Sequence, residues 1–97
     1  MKVYFPHINY TVHILRLRKV PKTLGSAQAY TAKGKDNKSC AIYVPKRVAP
    51  GIAAHEVVHA LRYICEARHM DFMLEEEHMA YVAQHLVNQI LGWEYEK

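Results

Sequence analysis

The run PGIAAHEVVHALRYICEARH, residues 50–69, decides how the second half of this chain folds. Pro50 suits the first turn of a helix, where its missing N–H leaves no hydrogen bond unmade. From Gly51 to about His69 no further Pro or Gly interrupts the segment. Ala53, Val57, Ala60, Leu61 and Ile64 recur at helical spacing and predict a core face. His55 and His59 fall on a flanking face with Ile52 and Arg62, one imidazole above the other.

A second helix is expected from about Phe72 to Leu91, with Asp71 as its N-cap and Gly92 as its stop. Met79, Ala83, Leu86 and Ile90 form its apolar stripe, and the short break from His69 to Asp71 implies that the two helices pack together. The preceding half reads as strands and turns. Thr11 to Val20 is rich in β-branched and large apolar residues and predicts a strand ended by Pro21. After a turn at Gly25-Ser26, Ala27 to Ala32 and Ser39 to Val44 are further strands. The polar loop Lys33 to Lys38 between them is short enough for a hairpin. The expected fold is therefore α+β, a small three-stranded sheet followed by two packed helices. With no repeat or linker, residues 1–97 are read as one domain.

A chain of 97 residues buries a core, but not a deep one, and a bound metal would help to hold it. The apolar fraction of 51% argues against disorder. No apolar run is long enough to span a bilayer, and Met1 to His7 lacks the apolar region of a signal peptide, so a cytoplasmic protein is expected. Cys40 and Cys65 belong to no CxxC pair and read as reduced, largely buried thiols. The net charge of +4 conceals an asymmetry. Residues 1–49 carry ten Lys or Arg against one acid, Asp36, whereas residues 50–97 carry three bases against eight acids. The basic half reads first as a solvated surface, and docking of nucleic acid is the lesser alternative, because no motif of a known nucleic-acid module is present.

The chemistry concentrates in His55-Glu56-Val57-Val58-His59, an HExxH sequence. On a helix, His55 and His59 can offer two imidazoles to one metal ion, and Glu56 is close enough to act on a water held there. That is the arrangement of a zinc hydrolase. A catalytic zinc has three protein ligands and one open position, so the second helix is expected to supply one more. Its candidates are Glu75, Glu76, Glu77, His78 and His85. Glu77 is the choice. It shares a face with Tyr81, Gln84 and Asn88, a polar stripe on an otherwise apolar helix that implies an inward role. His78 reads as solvent-facing and His85 as a satisfied helix histidine, while His7, His13 and His69 have no partner pattern. Trp93 and Tyr95 read as packing residues.

The string His55-Glu56-Val57-Val58-His59-Ala60, followed by Glu77-His78-Met79-Ala80-Tyr81, resembles the gluzincin metallopeptidases, and in particular small single-domain, phage-encoded members with an E-x-x-A-Y segment. The resemblance covers roughly residues 40 to 90. It implies a minimal zincin-like fold with His55, His59 and Glu77 as Zn2+ ligands and Glu56 as general base. It implies further that the strand Cys40 to Val44 lies at the sheet edge above the metal and pairs with an extended peptide or protein substrate. Thermolysin-like members place an aspartate four residues after the glutamate ligand to orient a histidine, and this chain has Tyr81 there. The expected function is peptide-bond hydrolysis by metal-activated water. Glu56 takes the proton, and Tyr81, Tyr43, His78 or His85 remain open as donors to the oxyanion. The alternative is a zinc-binding phage or prophage accessory module with weak or no hydrolysis.

Overall fold

Alternation of burial along the strands makes one face of a sheet into a core wall. The computed structural model describes residues 1–17 and 29–92. Its elements are β1 (Lys2–Phe5), β2 (Tyr10–Leu17), β3 (Tyr30–Lys33), β4 (Ser39–Pro45), α1 (Pro50–Arg68) and α2 (Glu76–Leu91). The strands form one mixed sheet in the order β1-β2-β4-β3. β1 and β2 are antiparallel, β2 and β4 parallel, and β4 and β3 antiparallel. The architecture is α+β. Val3 and Phe5, Tyr10, Val12 and Ile14, and Cys40, Ile42 and Val44 are buried in one cluster with the apolar stripes of both helices. Both helices therefore cover the same side of the sheet.

The sheet has four strands, not the three expected. Lys2-Val3-Tyr4-Phe5 alternates exposed and buried, a period-2 signal next to Pro6. Asn9 adopts a left-handed backbone (φ 47°) in the turn that pairs β1 with β2. β2 begins at Tyr10, and residues 18–20 of the expected strand lie outside the described residues, as do Pro21, the Gly25-Ser26 turn, Ala27, Trp93 and Tyr95. The expected hairpin is present between β3 and β4. β4 is interior rather than at the edge. It pairs with β2 on one side and β3 on the other, and its inner-face Ile42 and Val44 are completely buried against the helices. β3, only half-buried, takes the edge.

α1 runs as expected and ends at His69, whose φ of 53° and ψ of 41° place it in the left-handed cap conformation. α2 starts later than Phe72. Asp71 accepts the Met73 N–H on its carboxylate at 2.9 Å, and its carbonyl takes the N–H groups of Leu74 and Glu75. That turn leaves Phe72, Met73 and Leu74 exposed, and the helix proper begins at Glu76. Gly92 stops it with φ 74°. Two arginines fasten the helices to the sheet. Arg68 of α1 donates to the carbonyls of Ile8 and Asn9, both at 2.7 Å, and Arg16 of β2 donates to the Ile90 carbonyl near the end of α2. Both cysteines are free, and burial pushes the Cys40 thiol up to about 11.

Gly34 opens the β3–β4 turn, and its N–H donates to the Ser39 carbonyl at 2.9 Å. A Cβ there would stand 2.6 Å from that carbonyl oxygen. Gly34→Ala is expected to destabilise the fold by about 1–3 kcal/mol in urea unfolding. An unchanged midpoint would show that the turn relaxes freely.

Candidate functional site

The position of each α1 side chain follows from its angle around the helix. Ala53, Val57, Ala60 and Ile64 point into the core. His55 and His59 leave the opposite, exposed side, and Glu56 leaves the boundary between the two. The two imidazoles approach with Nε2 to Nε2 at 3.3 Å and rings inclined at 72°. Two nitrogens bound to one tetrahedral zinc at about 2.0–2.1 Å stand roughly 3.3–3.4 Å apart. The pair therefore stands at a separation that suits one shared cation and equally an N–H···N hydrogen bond between the rings, on a surface open to solvent.

Glu56 is 5% exposed, the one charged residue among the buried side chains described. The Thr31 hydroxyl on β3 donates to its Oε1 at 2.7 Å and also lies 3.2 Å from its main-chain carbonyl oxygen. A buried carboxylate needs such a donor, because desolvation without one costs several kcal/mol, roughly. Its other oxygen, Oε2, takes no hydrogen bond from a described residue. The base of the motif is thus held at the edge strand, one helical position from His55.

The second helix does not complete the set. Among the described residues no group of three His, Cys, Asp or Glu side chains is placed to hold a metal, so Glu77 does not join His55 and His59. Met79, Val82, Leu86 and Ile90 are buried, and the stripe Glu77, Tyr81, Gln84 lies on the opposite side of α2. The inward role expected for that stripe is replaced by exposure, and Tyr81 is 63% exposed. Glu76 is exposed as well.

The remaining candidates have other neighbours. His78 Nδ1 lies 3.8 Å from the Glu75 carboxylate, its ring stands 5.1 Å from that of His7, and its Nε2 is buried without a partner among the described residues. It is half-buried, not solvent-facing. His85 packs edge-on to Phe5. Tyr43 stacks on Tyr30 with centroids 4.4 Å apart, on the face of the sheet away from the helices. An apolar groove of about 510 Å³ runs between α1 and the following loop, lined by Val58, Leu61, Cys65, Met70 and Phe72, but neither histidine of the motif lines it.

Thr31 carries a site role that sequence reasoning missed. It lies in the expected second strand, but 25 positions separate it from Glu56 and no local pattern marks the pairing. No protein-family model, curated protein or solved structure matches this chain. The site stands on its own geometry. Thr31→Val, which keeps the shape and removes the donor, is expected to destabilise the protein by about 1–3 kcal/mol. Thermal unfolding of the variant checks this, and no change would mean that solvent already satisfies Glu56.

Proposed function

We propose that this chain is a zinc-dependent metallopeptidase in which His55 and His59 grip the metal and Glu56 serves as the base. The observation that carries this reading is the 3.3 Å separation of the two Nε2 atoms within an HExxH helix. Zinc held there would supply a Lewis acid for a carbonyl and would lower the pKa of water to about 7. The chain's own residues supply the rest. Glu56 brings a carboxylate to the side of the pair, steadied at Oε1 by the Thr31 hydroxyl. β3 contributes the edge of the sheet beside that carboxylate. An extended peptide pairing with β3, rather than with the interior strand β4, would pass along the same side of α1 as Glu56.

Of the ligands that the resemblance implies, the two histidines stand at a separation that suits zinc, and no described group of three joins Glu77 to them. That placement predicts that Glu77→Ala keeps the parent's zinc affinity, while His59→Ala loses it by about a hundredfold or more, read by competition with a chromogenic chelator. A loss in Glu77→Ala as deep as that in His59→Ala would put the Glu77 carboxylate on the metal after all.

A second reading, a zinc-holding module without hydrolysis, is favoured by one observation: Glu56 is buried and already engaged by Thr31. Cleavage of a peptide library by the zinc-loaded protein separates the two. The peptidase reading expects turnover in the parent, and expects Glu56→Gln to bind about one zinc per chain and lose cleavage by at least about a hundredfold. Equal cleavage by the two proteins would remove Glu56 as base, and zinc binding without any cleavage in the parent would leave the second reading.

A further inference from the structure

The charge of this chain is divided between its sheet half and its helical half, and of the bases in the sheet half Lys2 and Lys38 border the outer face while Arg16 reaches the helices. Among the described residues the sheet half, residues 1–17 and 29–49, carries seven Lys or Arg against a single acid, Asp36. Residues 50–92, which form the helical layer, carry two against six Asp or Glu. Both helices lie on one face of the sheet, so no described element covers the other. The register lays out what that open face presents. Tyr4, Thr11 and Ser39 form one cross-strand row, Lys2, His13, Ala41 and Ala32 the next, and Leu15, Tyr43 and Tyr30 a third. The floor is small and the flanks are aromatic. Tyr4, 54% exposed, stands at one corner, its hydroxyl donating to Asn9. The stacked rings of Tyr30 and Tyr43 stand at the far edge, inclined to each other by only 11°. Between them lies a polar depression of about 280 Å³ bordered by Lys2, Thr11, His13, Asp36 and Lys38. The Asp36 carboxylate is already occupied, accepting the Lys38 N–H at 3.0 Å and the Ser39 hydroxyl at 3.1 Å.

We propose that this open sheet face binds single-stranded nucleic acid, with Tyr30, Tyr43 and Tyr4 as stacking surfaces and Lys2 and Lys38 on the phosphates. An ordered aromatic pair lets an unpaired base extend an existing stack, and lysines beside a shallow trough neutralise the backbone without reading sequence. The face carries no described helix or ribbon to enter a groove, so it suits splayed bases rather than a duplex. The acidic helical layer behind it turns the strand toward this side. A second copy of the chain seated face to face would bring the same lysines together, so the anionic strand is the better electrostatic match. This inference does not depend on the histidine pair.

The test is fluorescence anisotropy of a labelled oligothymidine of about 20 nucleotides, with a duplex of equal length as competitor. Binding is expected at about 50 mM salt and should weaken steeply by about 200 mM, with a log–log slope near −0.7 per phosphate neutralised. Tyr30→Ser with Tyr43→Ser, and separately Lys2→Glu with Lys38→Glu, should each weaken binding by about tenfold or more, whereas Arg62→Glu on the helical layer should not weaken it. All these side chains lie outside the core, and circular dichroism confirms folding of each variant. Absence of binding at low salt, preference for the duplex, or tyrosine variants that bind like the parent would overturn the proposal. So would a dimer in light scattering that Tyr43→Ser dissolves, which would assign the face to a second copy. Retention of binding in a chelator confirms that the surface acts independently of any metal.

Discussion

Both helices bury their apolar stripes against the same side of one sheet, and that single core dictates where every other side chain can point. Tyr10, Val12, Ile14, Cys40, Ile42 and Val44 line the sheet side, and Ala53, Val57, Ala60, Ile64, Met79, Leu86 and Ile90 line the helix side. Once those residues are seated, the rotation of each helix about its axis has no freedom left, since turning α1 by one position would drive a histidine or an arginine into the core. The two arginine tethers work at the margins of this packing. Arg68 and Arg16 satisfy main-chain carbonyls of the β1–β2 turn and of the last turn of α2.

The candidate site is a consequence of that rotation. His55 and His59 are one turn apart on the side of α1 left over after burial, so their nitrogens converge in solvent. Glu56 leaves the helix about 100° further round, which puts it at the seam with the edge strand, where the Thr31 hydroxyl satisfies it. The same constraint acts on α2 with the opposite effect. Its buried stripe turns Glu77 and Tyr81 outward. A motif read as one constellation is thus distributed over a metal-spaced pair, a carboxylate held at a sheet edge, and a polar stripe in water.

Much of the fold was legible because it rests on local periodicity. α1 matches its expected span to within a residue or so, its five expected core residues are all buried, and Gly92 ends α2 as its conformational freedom suggests. The strands from Tyr10, Tyr30 and Ser39 overlap the expected segments, each running one residue beyond one end. β1 was missed although Val3 and Phe5 alternate with Lys2 and Tyr4, since four residues give a weak period. The α2 boundary was misplaced because Asp71 caps a turn that the helix does not continue. β4 is interior and not at the edge because it pairs with both β2 and β3, and neighbour order in a sheet is a property of all four strands together.

Sequence alone determined that a helix carries HExxH and that a hairpin precedes it. It also determined that bases and acids occupy different halves of the chain, since composition and spacing along one segment are local properties. Tertiary structure decided the rest. It made β3 the edge that meets Glu56, left Glu77 exposed on α2 outside any described group of three metal-binding side chains, and set both helices on one face of the sheet with no described element over the other. Those outcomes depend on how elements distant in the chain compete to bury the same apolar surface, and no window of sequence contains that competition.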